Sequence, residues 1–407
     1  MISISKATSI IEREITTAGS EVVRLQDSVG RILAEDVLAD TDMPPFDRSQ
    51  MDGYAMKAAD TKTAPVRLKL VGESAAGRGW HRTLNDGEAI RIMTGAPVPN
   101  GADSIQKVEL TSDDDNESVM IDEPTEPGKY IVPKGSEIKR REKLFVPGER
   151  IDEKMIASLA AFGYARLEVY EQPFVSILGT GTEIVTIEEK PARDQIRNSN
   201  SVMLKALCEQ AGAKTKTLRQ TGDDLEMLKR TISRAVDSRS KIQNPRSKIL
   251  VITGGVSVGK YDLTKLALRE LGADLFFERV RLRPGKPTVF GRLNGTLIFG
   301  LPGNPISAAV TFYLFVRTAI LRLQGATNAG LPAATAVLGS SAKAAKERDT
   351  YLPATIDTDK NGRLIVSPLR WHGSSDFVGF ARADVLIVLK PGQIVAAGQP
   401  VPIYYLD

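Results

Sequence analysis

The sequence predicts a multidomain α/β protein. It should combine a parallel-sheet αβ domain, a helical and β-containing N-terminal region ahead of it, and an all-β C-terminal domain. Three observations carry this expectation. At 407 residues the chain is too long for one compact core. Across residues 173–328, short apolar runs alternate with amphipathic stretches of helix length, and repeated β-loop-α units of that size call for a parallel sheet covered by helices. Outside that region the runs are short, β-rich and punctuated by Gly, Pro and Asp.

Taken in chain order, Ile10, Ile11 and Ile15 give residues 4–17 a helical period, and a second helix is expected over 28–35. A Pro-Gly-rich loop, MPPFDRSQMDGYAM, then becomes strand-like, and residues 65–140 alternate β-rich runs with turns. Residues 113–118 (DDDNES) lack the Gly and the terminal Glu spacing of a calcium loop and read as a hairpin turn. A helix over 151–162, with Met155, Ile156 and Leu159 on one face, is expected to pack back on the N-terminal helices. The expected domains are therefore a discontinuous helical domain (1–42 and 141–172), a small β-rich domain (43–140), the αβ domain (173–328) and the C-terminal β domain (329–407).

Within the αβ region, strands are expected at 174–178, 215–218, 248–253 and 276–283, and helices at 201–211, 223–236 and 263–271. Asn294-Gly295 predicts a hairpin, and residues 305–323 a buried helix. The basic stretch 239–248 reads as an exposed loop.

Composition narrows the chemistry. Lys+Arg 54 against Asp+Glu 50 leaves a net charge of +4, too small a surplus over this length to imply nucleic-acid binding. The first residues lack an export signal's apolar core, and the longest apolar run, 306–321, is broken by Arg317, so neither export nor a membrane span is expected. A single cysteine, Cys208, leaves no internal disulfide and reads as a buried, inert thiol. The expected location is cytoplasmic. With only His81 and His372, a Ser-His-Asp triad or a His-rich zinc site is not expected. Catalysis must run on carboxylates, bound metal and basic residues.

Two Gly-rich loops follow strands of the expected sheet, where ligands bind in open α/β folds. They are Gly179-Thr180-Gly181-Thr182-Glu183 and Thr253-Gly254-Gly255-Val256-Ser257-Val258-Gly259. Glycines let backbone N–H groups approach a phosphate, and each loop has a carboxylate close behind, Glu183 and Asp262. Arg279, Arg281 and Arg283 alternate, so on one strand they would share a face, with Lys286 presented after Pro284-Gly285. This cluster reads as an anion site. In Gly300-Leu301-Pro302-Gly303-Asn304-Pro305, Asn304 is placed to cap a helix and Pro305 to begin it. In the N-terminal half, Asp47, Ser49 and Asp52 crowd one loop, and Thr94 ends a strand.

Six segments together carry a resemblance: PPFDRSQMDGYAM (44–56), RIMTGAPVP (91–99), GTGTEI (179–184), ITGGVSVGKYDLTK (252–265), RPGKPTVFG (283–291) and GLPGNPISA (300–308). In order and spacing the chain resembles the molybdopterin molybdenumtransferase family, the MoeA proteins and the E domain of gephyrin, over nearly its whole length. The resemblance implies a molybdopterin-binding αβ domain and a homodimer. Its active cleft would form between the αβ domain of one subunit and the N-terminal β region of its partner. The implied reaction inserts molybdate, or tungstate, into adenylylated molybdopterin with release of AMP, and the implied ion is Mg²⁺.

By the same resemblance, Asp52, Glu183 and Asp262 are the functional carboxylates that hold the cation or orient the oxyanion, and Thr94 is the hydroxyl on the β-domain side. Gly181, Gly254, Gly255, Ser257, Gly259, Arg281, Arg283, Lys286, Pro302 and Pro305 are implied in substrate binding. Asp223 and Ser374 join them, though Asp223 is equally well placed as a helix cap. The sequence departs from the family pattern in three places. Glu137 stands for the usual Asp, Thr182 replaces a carboxylate, and Arg197-Asn198-Ser199-Asn200 replaces Tyr-Asp-x-Asn. Less negative charge around the site leaves two other readings open: a metal-dependent pyrophosphohydrolase of another nucleotide conjugate, and a non-catalytic cofactor-binding scaffold.

Overall fold

The computed structural model describes residues 1–112, 114–236, 248–255, 263–370 and 373–406. The expected positions Ser257, Gly259 and Asp262, together with His372 and most of the basic stretch, lie outside these. The chain divides into two compact units. One comprises Met1–Glu35, Pro147–Ile156 and Arg166–Asp407, the other Asp36–Val146 and Ala157–Ala165.

In the larger unit the N-terminal helix runs from Ile4 to Arg13, with the Ser3 hydroxyl accepting from Lys6 N at its start. Ala7 and Ile11 bury its inner face, and Glu12 pairs with Arg322. The helix expected over 28–35 does not form. Gly30 takes φ 82, Ile32 bridges Arg150 and Leu33 bridges Val169, so this apolar pair is buried by extended pairing. Residues Ser20–Arg24 pair antiparallel with Arg166–Tyr170.

The αβ layer begins with β1 (Phe174–Gly179), α1 (Ser199–Gln210), β2 (Lys214–Thr217), α2 (Leu225–Val236), β3 (Lys248–Thr253) and α3 (Leu263–Glu270). It continues through β4 (Asp274–Phe277), β5 (Leu282–Arg283), β6 (Val289–Leu293), β7 (Thr296–Leu301) and the helix Pro305–Leu323. The sheet order is β2-β1-β3-β7-β6-β4, with β2, β1, β3 and β7 parallel and β6 antiparallel to both its neighbours. The β6–β7 hairpin turns through Asn294 (φ 49) and Gly295 (φ 77), as that pair predicts.

Strand periodicity fills two cores. Ile249 and Val251 of β3 face α1 and the 305–323 helix, while Leu250 and Ile252 face Leu228 and Ile232 of α2 and Leu268 of α3. The helix Pro305–Leu323 is apolar and long enough to cross a membrane by composition, yet 89% of its apolar window is buried within the protein. It is the central helix of the core, and a five-residue π turn at Phe312–Val316 runs through it.

The expected single strand 276–283 is broken. β4 stops at Phe277, Val280 bridges Ile2, and β5 leaves the αβ sheet to pair in parallel with the C-terminal domain. That domain contains β8 (Ala333–Leu338), β9 (Asp349–Thr358), β10 (Leu364–Pro368), β11 (Val385–Leu389) and β12 (Pro400–Tyr405). Pairing runs β9-β10-β8-β12-β11 and back to β9, so the sheet closes on itself.

The smaller unit carries a six-stranded sheet ordered 104–107, 53–56, 88–92, 66–74, 118–121 and 111–112. The turn at 114–118 joins its last two strands, with Asp115 Oδ1 accepting from Glu117 N and Ser118 N.

Candidate active site

The carboxyl ends of β1, β3 and β7 and the loop after β2 are stitched together by backbone hydrogen bonds. Thr180 N donates to Thr253 O at 3.0 Å, Gly254 N to Leu301 O at 3.2 Å and Gly181 N to Thr221 O at 3.1 Å. Gly254 has φ 95, and a Cβ there would stand 2.3 Å from Thr180 O, so only glycine lets the two turns lie this close. At Gly181 (φ 141) a Cβ would meet Glu183 Oε2 at 2.4 Å, which places the Glu183 carboxylate across the bare face of its own turn.

Both turns open on one cavity of about 1010 Å³. Its wall brings together the expected residues Gly181, Glu183, Asp223, Gly254, Gly255, Pro302 and Pro305. Asp223 does not cap α2. Asp224 does so, its Oδ1 accepting from Met227 N at 2.9 Å, and Asp223 Oδ2 instead accepts from the Thr182 hydroxyl at 3.3 Å. The Thr182 hydroxyl thus ties Asp223 to the first glycine turn. Asn304 occupies the helix N-cap position, but its side chain makes no capping bond; Nδ2 donates to Ser374 Oγ at 2.6 Å. Ser374 therefore supports the third loop, while Ser375 lines the cavity.

The cationic cluster is arranged otherwise than expected. Arg279, Arg281 and Arg283 do not share a strand face, because the backbone bends at Arg281 and folds into a closed turn in which Val280 N donates to Lys286 O at 3.0 Å. Pro287 of this segment reaches the cavity wall, whereas Arg281, Arg283 and Lys286 stand outside it. Arg281 and Arg283 are exposed, and none of the three forms an ion pair among the described residues.

Asp52 and Thr94 come together in the smaller unit. Thr94 donates its backbone N–H at 2.6 Å and its hydroxyl at 3.0 Å to Asp52 Oδ1. These bonds, the backbone one first, hold the Asp52 carboxyl below its ordinary range. Gly53 beside it is required by packing, since a Cβ would lie 2.1 Å from Gln106 O. Glu137 is ion-paired with Arg48 at 2.9 Å. Among the described residues no group of three or more His, Cys, Asp or Glu side chains is gathered closely enough to hold a metal ion.

Two parts of the cavity went unnoticed in the sequence. One is a short parallel ribbon, Ile184–Val185 with Ile196–Arg197, whose connecting loop contributes Ile187, Pro191 and Gln195 to the wall. Two-residue strands are too short to leave a periodic signal. The other is Asn200, the last residue of the Arg197-Asn198-Ser199-Asn200 tetrapeptide, whose signal is a polar side chain on the buried face of α1.

Comparison with known proteins extends this picture. Residues 2–163 match the MoeA N-terminal region (domain I and II), residues 176–322 a probable molybdopterin binding domain, and residues 335–406 the MoeA C-terminal region (domain IV). The chain is 34% identical over 380 residues to a molybdopterin molybdenumtransferase of Bacillus subtilis (strain 168), spanning 92% of this chain and 86% of that protein. A molybdopterin molybdenumtransferase of Staphylococcus aureus (strain COL) is 31% identical over 395 residues, spanning 96% and 92% respectively. The solved molybdopterin biosynthesis MoeA protein of Pyrococcus horikoshii OT3 has a TM-score of 0.84 at 26% identity, over 100% of both chains. The likeness runs through all three regions and nearly the full length: the chain belongs to the molybdopterin molybdenumtransferase (MoeA) family of molybdenum cofactor biosynthesis.

Proposed function

We propose that this protein inserts molybdate, or tungstate, into adenylylated molybdopterin, cleaving its phosphoanhydride and releasing AMP. The observation that carries the reading is the pair of backbone-locked glycine turns opening on one large cavity. Backbone this bare suits the close approach of a pyrophosphate. Arg281, Arg283 and Lys286, free of carboxylate partners among the described residues, would bind the outer phosphates and the incoming oxyanion. Pro302 and Pro305 fix the shape of the third wall, and Ser374 holds it through Asn304.

Two carboxylates of the cavity wall are of the kind a magnesium ion takes. Glu183 and Asp223 offer hard carboxylate oxygens, the ligand type this ion prefers. Asp262, outside the described residues, would add a third. Bound there, the ion would neutralise phosphate charge and polarise the scissile bond. Glu183 would also orient the attacking oxyanion.

The protein is proposed to act as a homodimer in the cytoplasm, with the Asp52–Thr94 pair of one subunit completing the cavity of the other. Exposed Met51 and Met93 flank that pair, which supports burial of this surface against a partner. The division into domains at 1–42 with 141–172, 43–140, 173–328 and 329–407 belongs to the same proposal.

The test is anaerobic incubation of the purified protein with adenylylated molybdopterin and Mg²⁺, following AMP with no oxyanion, with molybdate or with tungstate. Release that needs an oxyanion supports the transferase and identifies its metal. Release without one would make the protein a pyrophosphohydrolase, and tight binding without release a carrier.

A further inference from the structure

Phe377 opens the short helix Phe377–Phe380 of the C-terminal region and is 55% exposed. A single exposed phenylalanine is ordinary on a protein surface. This one, however, lies on the wall of the large cavity, and among the described residues it is the only aromatic side chain there. The backbone beneath it is pinned. Phe377 N donates to Ser375 O at 2.9 Å, Phe377 O accepts from Ala381 N at 3.0 Å, and Asp376 Oδ1 accepts from Gly379 N at 2.9 Å. The residue is thus held in place on the cavity wall while it stays open to whatever enters.

Phe377 also bounds a second cavity, of about 660 Å³, which shares Ser199, Asn200 and Pro305 with the first. The two differ in chemistry. Glycine turns and carboxylates bound the first, whereas Tyr313, Phe380 and Tyr405 join Phe377 on the wall of the second. Tyr313 reaches it from the π turn of the helix Pro305–Leu323, and such turns are frequent at functional sites. An aromatic wall suits a flat ring, and a glycine-lined one suits phosphate. Phe377 stands where these two environments meet.

We propose that Phe377 is a substrate-binding residue: its side chain stacks on a heteroaromatic ring of the substrate where the two cavities meet, while the phosphates attached to that ring lie along the glycine turns. The inference rests on the reading of the larger cavity as the site of a phosphate-bearing substrate. Stacking of this kind selects against a phosphate ester that carries no ring. An adenine and a pterin both present a flat π face, and the experiment separates them.

Binding is measured by calorimetry on the full chain with two ligand pairs, each with and without a ring. The first pair is AMP and ribose 5-phosphate; the second is 6-hydroxymethylpterin phosphate and methyl phosphate. In the unmodified protein the ring-bearing member of at least one pair should bind more tightly. Phe377→Ala should weaken that member about fivefold to a hundredfold, the range that loss of an aromatic platform costs a stacked base, and change its ring-less counterpart less than about twofold. Phe377→Trp should keep the preference, since an indole offers the same face. A loss within the first pair assigns the ring to adenine, within the second to pterin, and within both to a platform that either ring uses. Because Phe377 is exposed, the variants should melt close to the parent. Were the alanine variant not to fold, Phe377→Leu, which keeps the bulk and loses the π face, takes its place. Equal weakening of ring-bearing and ring-less ligands, or weakening of neither, overturns the proposal, as does an unmodified protein that favours neither ring. Failure of the unmodified protein to bind any of the four would instead overturn the phosphate-site reading beneath it.

Discussion

Thr94 grips a single carboxylate oxygen of Asp52 with two donors, its own backbone N–H at 2.6 Å and its hydroxyl at 3.0 Å. The pair fixes one acid in one orientation at the end of a strand, and it keeps that acid ionised. The folded protein holds Asp52 below its ordinary 3.8, so the stabilisation is fully present above that value and is lost as pH falls through the lowered one. Replacing Thr94 by Val removes the hydroxyl and leaves the N–H. The Asp52 midpoint should therefore rise part of the way back, as read by carboxyl NMR in the absence of magnesium. An unmoved midpoint would mean that the backbone bond alone sets it.

Gly254→Ala tests the closeness of the two turns. A left-handed conformation costs a non-glycine residue about 1–2 kcal/mol, and the clash with Thr180 O adds to it. The melting temperature should drop and phosphate-ligand affinity should fall with it. A variant that melts and binds like the parent would show that the turns can part without consequence.

Lys286→Ala should raise KM several-fold while leaving kcat nearly unchanged, because a cation that grips phosphate equally in ground and transition states contributes uniform binding. Steady-state AMP release decides the matter. A fall in kcat at constant KM would move Lys286 from binding to the chemical step.

Glu183→Gln should raise the magnesium concentration needed for half-maximal AMP release and lower kcat, yet leave melting almost unaltered, since the side chain is exposed. If the magnesium dependence is unchanged, the carboxylate does not hold the ion.

The αβ unit was legible because its central strands are buried on both sides and most of its helices are amphipathic, so two periods alternate clearly between Pro173 and Leu323. The hairpin at Asn294-Gly295 and the glycine turns were legible for a different reason, their backbone demands. What misled was local pattern completed by distant partners. Ile32 and Leu33 could be one face of a helix as readily as an extended pair, and only Arg150 and Val169 decide between them. The alternating arginines suggested one strand face, but Ile2 and β9 pull neighbouring residues of that segment into different pairings. Asp223 and Asp224 offered two equivalent caps, and the choice between them rests on Thr182.

β5 is only two residues long, yet it belongs to the C-terminal sheet while its chain neighbours belong to the αβ layer. Asp349 N donates to Arg281 O, and Ile306 N to Ser374 O, so the Arg281 turn and the helix start after Pro305 both take backbone partners from the last domain. The αβ layer is thus not a detachable module. A chain ending at residue 330 would leave those carbonyls and amides without their mates, and the damage would appear first in anion affinity, with the buried sheet persisting. Natural or engineered exchange of the C-terminal domain should therefore alter substrate recognition, although among the described residues that domain supplies none of the large cavity's carboxylates.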